Sequence, residues 1–247
     1  MAYEELTALL RECSRIVFFG GAGVSTASGI PDFRSSSGLY HEKFRRTLSP
    51  EEMVSHSFLM QHPDDFYAFY KEKLIYPDAK PNGAHRALAK LEEMGKLTSV
   101  VTQNIDGLHQ AAGSRRVWEL HGSVLRNYCT KCHAPYGADY VLAAPGVPVC
   151  EKCGAPVRPD VVLYEECLDD RVIEGAVRDI SRADMLIIGG TSLVVYPAAG
   201  LIHYFRGRHL VLINKSVTEA DGMAELVYHD DIAAVLDQAV QNLVQQP

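Results

Sequence analysis

The sequence has no uninterrupted apolar run near the roughly 18 residues that a membrane-spanning helix needs. Its start carries Glu4 and Glu5 and no apolar leader core. A membrane partner is therefore not expected, and the expected location is the cytoplasm. Basic excess is also missing: 24 Lys and Arg stand against 31 Asp and Glu, a net charge of −7. That balance argues against a general nucleic-acid binder, which needs cations to neutralise phosphates. There is no internal repeat and no low-complexity segment. Cysteine is sparse outside one region, because four of the six residues fall in two Cys-x-x-Cys pairs. Such pairing in a reducing compartment points to a metal rather than a disulfide framework.

With 247 residues and 47% hydrophobic content, the chain has enough apolar material for one large domain carrying a smaller insertion. Leu6, Leu9, Leu10 and Cys13 recur at helical spacing and predict an amphipathic first helix. The run Ile16-Val17-Phe18-Phe19 then reads as a buried strand. It leads into the glycine-rich residues 20–34, where Gly21, Ala22, Gly23, Ser25 and Thr26 form a turn that reads as either a phosphate cradle or an ordinary tight turn. Residues 24–28 are expected to form a short helix stopped by Gly29-Ile30-Pro31. Residues 32–40, rich in serine, read as a mobile loop that orders over a bound cofactor.

Two helical patterns are expected over residues 49–76, the first opening at Ser49-Pro50-Glu51-Glu52 and the second near Pro63. The second carries Phe66, Tyr67, Phe69 and Tyr70, an aromatic cluster suited to a core or to the roof of a cleft. Residues 83–94 form a further amphipathic pattern, with Gly95 as its stop. Strands are expected at residues 97–102, 184–189 and 209–213, with a short one at Trp118. Their carboxyl ends run into Gln103-Asn104-Ile105-Asp106, His121-Gly122, Gly190-Thr191-Ser192 and Asn214. In an open parallel sheet such ends face the ligand crevice. A periodic closing helix follows from Ile232.

This alternation predicts an α/β fold, a Rossmann-like parallel sheet, interrupted by residues 124–157. There Cys129-x-x-Cys132 and Cys150-x-x-Cys153 stand 17 residues apart, the spacing of a four-thiolate zinc ribbon. One structural Zn2+ is expected, since four thiolates leave no position open for water. The expected division is residues 1–30, 83–123 and 158–247 for the Rossmann-like domain, 31–82 for the cofactor loop and helical module, and 124–157 for the zinc module. His121, at a strand end beside glycine, is the candidate base; the other nine histidines read as structural or solvated. Asn104 and Asp106 read either as helix caps or as ligands for a polar group such as a carboxamide.

Taken together, Gly-Ala-Gly-x-Ser, Ser-Gly-Ile-Pro-Asp-Phe-Arg, Thr-Gln-Asn-Ile-Asp, His-Gly, the paired Cys-x-x-Cys, Gly-Thr-Ser and the strand-end Asn214 resemble the sirtuins, NAD-dependent protein deacylases, in family order over nearly the whole chain. The resemblance implies NAD+ in the cleft between a large Rossmann-like and a small zinc domain. It implies Ala22, Gly23 and Ser25 at the phosphates, with Gly21 and Thr26 close by, and Phe33 and Arg34 over the nicotinamide ribose. Gln103 would touch ribose, and Asn104, Ile105 and Asp106 the nicotinamide. Gly190, Thr191, Ser192, Asn214 and Asp231 would lie on the adenosine side, and His121 would be the catalytic base. The implied reaction removes acetyl groups from protein lysines and gives nicotinamide, O-acetyl-ADP-ribose and free lysine. Zinc takes no part in it. The substrate peptide would add as a strand between Val161-Val162-Leu163-Tyr164 and Val194-Val195, near Tyr67 and Tyr70.

Two departures bear on substrate choice. Family members often carry Phe-Gly-Glu where this chain has Tyr164-Glu165-Glu166, followed by Asp169 and Asp170, an acidic run suited to basic residues beside the lysine. Members that remove succinyl or malonyl groups carry Tyr-x-x-Arg where this chain has Tyr67 and Tyr70. Without the guanidinium a buried acyl carboxylate has no partner, so neutral acyl groups, acetyl first, are expected. The competing functions are protein mono-ADP-ribosyl transfer, a non-catalytic NAD-binding module, and a dehydrogenase. The last is disfavoured because Thr26 replaces the third fingerprint glycine. The expected state is a monomer.

Overall fold

The computed structural model describes residues 2–32 and 48–245. Phe33, Arg34 and most of the expected cofactor loop, residues 33–40, lie outside the described residues. The chain order is α1 (Glu4–Glu12), β1 (Ile16–Gly20), α2 (Pro50–Met53), α3 (His56–Gln61), α4 (Pro63–Lys73), α5 (Gly83–Glu93), β2 (Leu97–Thr102), α6 (Leu108–Ala111), β3 (Val117–Glu119), β4 (Gly122–Cys129), β5 (Pro135–Tyr136), α7 (Ala138–Ala143), β6 (Val157–Val161), α8 (Asp170–Arg182), β7 (Met185–Gly189), β8 (His209–Ile213), β9 (Leu226–Tyr228) and α9 (Ile232–Gln245).

Six strands form a parallel sheet in the order β3-β2-β1-β7-β8-β9. All five residues of β1 are buried. Because side chains alternate along a strand, Ile16 and Phe18 enter the core under α1, α5 and α9. Val17 and Phe19 enter the opposite core, with Ala176 and Ile180 of α8. Each such fully buried large side chain contributes about 1.5–3 kcal/mol. The strand order reverses on either side of β1, so the crevice at this switch point opens at the carboxyl ends of β1, β2 and β7.

The interrupted middle forms an antiparallel sheet, β5-β4-β6. Its own core is small, built on Cys129, Ala134, Cys150 and Val157. Val124, Val141, Val161 and Leu163 instead pack with Met53, Phe58, Phe66, Tyr67, Phe69 and Tyr70 of the helical segment. The second sheet and the helices before it thus share one apolar cluster.

Three helices, not two, occupy the residues after Ser49. The capping box at Ser49 and Glu52 starts only a short helix, and the side chain of Ser55 caps a second one. The expected helix at residues 24–28 is replaced by two 3-10 turns, Ala22–Val24 and Thr26–Ser28. Gly29 ends the second turn with φ +83°.

Candidate functional site

The glycine turn after β1 is built against the turn after β7. Gly23 N–H donates to Gly190 C=O at 2.8 Å, and a Cβ at Gly23 would lie 2.8 Å from Gly190 Cα. Only glycine fits that approach. The next two amides turn inward, Val24 N–H to Gly21 C=O and Ser25 N–H to Ala22 C=O. Because two 3-10 turns stand where a helix is expected at residues 24–28, these residues offer no α-helix N-terminus, which corrects that expectation. Thr26 Oγ1 donates to Gly23 C=O at 3.0 Å and so braces the turn.

Ser25 is buried and is the centre of a polar triad. Its hydroxyl donates to Asp106 Oδ2 at 2.6 Å and accepts from Asn104 Nδ2 at 3.1 Å. The other oxygen of Asp106 accepts from Leu108 N–H at 2.9 Å, at the start of α6. This carboxylate therefore ties Ser25 to the start of α6.

Gln103 joins two strand ends to the candidate base. Its side-chain amide donates to Thr191 Oγ1 at 3.0 Å, and its carbonyl lies 2.9 Å from His121 Nδ1. A carbonyl only accepts, so the Nδ1 carries the proton and Nε2 keeps a lone pair. Burial lowers the His121 pKa while the bond to Gln103 opposes that shift. The imidazole is thus a neutral proton acceptor at pH 7.

At the far end of the sheet, Asn214 Nδ2 donates to Ser216 C=O at 2.9 Å. Asp231 caps α9 through Ala233 N–H at 2.9 Å and pairs with Lys215 at 2.8 Å. Ser192 is exposed at the mouth of the β7 turn.

The four cysteines converge. Their Sγ atoms all lie within 4.8 Å of one another, with Cys129 and Cys153 3.4 Å apart and Cys132 and Cys150 3.5 Å apart. A tetrahedral Zn2+ with bonds of about 2.3 Å sets sulfurs about 3.8 Å apart, so the donor set fits that ion. Lys131 and Cys132 N–H both reach Cys129 Sγ at 3.4 Å. Tyr136 Oη donates to Cys150 Sγ at 3.1 Å.

The expected peptide strand is largely engaged already. Val162 N–H donates to His121 C=O at 3.0 Å, Tyr164 N–H to Val54 C=O at 3.1 Å, and Tyr164 C=O accepts from His56 N–H at 3.0 Å. Opposite in sequence, Val194 and Tyr196 are exposed, while Val195 C=O accepts from Ala199 N–H. Tyr67 and Tyr70 are both fully buried. The Tyr67 hydroxyl donates to Val157 C=O at 2.6 Å, and the Tyr70 hydroxyl has no hydrogen-bond partner among the described residues.

The acidic run is not a free charged face. Glu165 accepts from Ser57 N–H and Oγ at 2.8 and 2.7 Å. Glu166 accepts from both terminal nitrogens of Arg158, from Leu163 N–H and from His56 Nδ1. Burial alone would raise the Glu166 carboxyl, yet these donors hold it down to about 2. Asp169 caps α8 through Arg171 N–H.

Behind the triad lies a set of side chains that motif reading missed. Asn82 Nδ2 donates to Val24 C=O at 2.8 Å and Ser28 Oγ at 2.9 Å, fixing the glycine turn from behind. The His85 and His109 rings pack with centroids 4.7 Å apart at a 60° tilt, both buried. Burial lowers them to about 4 and about 3, with Asp106 pulling His85 back upward. The available signal was the spacing of Ala84, His85, Leu88 and Leu91, which puts His85 on the buried stripe of α5. A surface cavity of about 610 Å3 touches Ala27 and Ser28 but none of the strand-end residues.

The Sir2 family model matches residues 21–197. An NAD-dependent protein deacetylase of Clostridium perfringens is 64% identical over 237 residues, covering 96% of this chain and 97% of the relative. A protein of the same name from Cutibacterium acnes is 53% identical over 244 residues, covering 99% of each. Among solved structures, a Sir2 variant with a deacetylated p53 peptide and 3'-O-acetyl ADP ribose superposes with a TM-score of 0.89 at 40% identity, covering 98% of both chains. A Sir2 complex with p53 peptide and NAD+ gives 0.85 at 39% identity, again covering 98% of both.

Proposed function

Because the chain belongs to the Sir2 family, we infer that it is an NAD-dependent protein deacetylase that acts on acetylated lysines of proteins or peptides. Bound NAD supplies the ribose that accepts the acetyl group, with nicotinamide as the leaving group. The residues present fit such a group: beside the glycine turn, Ser25, Asn104 and Asp106 bring a hydroxyl, a carboxamide and a carboxylate together.

The roles assigned are those that the family motifs imply. Gly21, Ala22, Gly23, Ser25 and Thr26 hold the phosphates. Gln103 contacts ribose, and Asn104, Ile105 and Asp106 hold the nicotinamide amide. Gly190, Thr191, Ser192, Asn214 and Asp231 serve the adenosine side. His121 accepts a proton at Nε2 because its Nδ1–H is committed to Gln103 C=O. That single hydrogen bond is the observation that carries the catalytic assignment: it sets the tautomer and the ring orientation together.

The four cysteines hold one structural zinc and supply no open coordination position. Val161 to Tyr164 and the residues Val194 and Val195 flank the peptide. Tyr70 stands where an acid-accepting member carries arginine, so acetyl is preferred over succinyl. A cytoplasmic monomer without nucleic-acid partners completes the proposal; among the described residues no helix is long and apolar enough to cross a membrane.

The test is to incubate the protein with an acetyl-lysine peptide, with and without NAD, and to weigh the products. Free lysine peptide and O-acetyl-ADP-ribose, formed only with NAD, are expected. An ADP-ribosylated protein in their place identifies a transferase instead. Faster turnover of succinyl-lysine than of acetyl-lysine peptide overturns the acyl preference.

A further inference from the structure

We propose that Glu165 is a positioning residue, a latch that ties the peptide-accepting edge to the helical segment before substrate arrives. The proposal rests on the deacetylase reading for what the edge receives. Glu165 has φ +75°, a left-handed conformation that favours glycine. A side chain kept there needs a compensating contact. It has one: the carboxylate accepts from Ser57 N–H at 2.8 Å and from Ser57 Oγ at 2.7 Å.

The neighbouring residues extend the same join. Tyr164 pairs with Ser55 in a parallel bridge, through Tyr164 N–H to Val54 C=O and His56 N–H to Tyr164 C=O. Glu166 is clamped by Arg158 from β6 at 2.9 and 3.0 Å and by His56 at 2.8 Å. Three successive residues, 164, 165 and 166, therefore bond to residues 54–57. A glycine at 165 leaves the backbone bridge but removes the two bonds that hold the turn. An edge ordered in advance loses less conformational freedom when an extended peptide pairs with it.

The experiment uses the full chain and four proteins: wild type, Glu165→Gly, Glu165→Ala and Glu165→Gln. Gln keeps an oxygen that accepts from both Ser57 donors. Steady-state kinetics with an acetyl-lysine peptide, and hydrogen exchange of the Ser57 amide without ligands, are the readouts. Glu165→Gly and Glu165→Ala are expected to raise the peptide KM roughly three- to tenfold, with kcat and the KM for NAD within about twofold. Ser57 exchange should quicken in both, and Glu165→Gln should restore both readouts. An unchanged peptide KM in Glu165→Gly overturns the proposal, whether or not exchange at Ser57 quickens. A fall in kcat with peptide KM unchanged overturns it as well. A wild type with no deacetylation defeats the functional reading, and its exchange data still show whether Glu165 holds Ser57.

Discussion

The six-stranded sheet and the small sheet around the four cysteines meet the same requirement, burial of apolar surface, by different means. In the first, β1 is buried along its whole length and has a core on each face. In the second, the independent core amounts to four residues, two of them metal-ligating cysteines. Four thiol groups packed that closely repel one another once ionised, unless a cation sits among them. The large sheet is therefore held by area, and the small one by an ion together with the shared cluster that joins it to the helices.

Removing the metal breaks this comparison most severely. Structural zinc contributes on the order of 10 kcal/mol to zinc-finger peptides. Chelation, or Cys129→Ser, is expected to disorder residues around β5 and α7, abolish deacetylation and leave the parallel sheet folded. Zinc content, amide exchange and far-UV circular dichroism together check it; equal loss of structure in both sheets contradicts the separation.

Next comes His121→Ala, expected to lower kcat roughly 100- to 10,000-fold, the range for losing a general base. NAD affinity and thermal stability should stay near wild type, because the imidazole bonds to a backbone carbonyl of Gln103 and to no side chain among the described residues. In the wild type, activity should fall as pH drops through a value below 6.5, because burial lowers the His121 pKa. A profile centred above 6.5 assigns the base elsewhere.

The large sheet carries an acid sensitivity of its own. His85 and His109 titrate near 6.5 in the unfolded chain but at about 4 and about 3 when folded, through burial. The unfolded state binds protons first, so stability is complete above pH 6.5 and is lost as pH falls. Between pH 7.5 and 5.5 the two should cost roughly 3 kcal/mol. Asp106 and Arg86 face His85 with opposing effects. Urea unfolding at the two pH values, with zinc content followed in parallel, measures the drop; His109→Phe should shrink it by about half.

The smallest effect belongs to the zinc module. The Tyr136 hydroxyl donates to Cys150 Sγ while accepting from Glu151 N–H at 3.0 Å, and its ring packs on Tyr140 at 4.4 Å. Tyr136→Phe keeps the ring and deletes the donor, at a cost of about 1–2 kcal/mol. Faster zinc transfer to a chromophoric chelator is the expected result, and an unchanged rate shows that the bond is dispensable.

Much of this contrast was legible in the residues themselves. Continuous apolar runs predicted β1, β2, β7 and β8 close to their observed limits, since strands buried on both faces need apolar residues at every position. The spacing of the cysteines predicted their convergence. The helix expected at residues 24–28 is instead part of two 3-10 turns, the first of which bonds to Gly190, a residue far away in the chain. The partners of the acidic run at 165–166 were not legible for the same reason: Ser57 bonds Glu165, and His56 and Arg158 bond Glu166, from other elements. His85 and His109 carried no motif, and only packing brought their rings together.

By itself, then, the sequence determined the parallel α/β sheet, the metal module and the chemical inventory at the strand ends, because periodicity, spacing and residue type are local properties. Tertiary structure alone decided which of those groups are engaged. Ser25 meets Asp106 and Asn104, Gln103 sets the tautomer of His121, and Glu165 is taken up by Ser57. Hydrogen bonds act over about 3 Å, and only folding brings residues that are many positions apart within that distance.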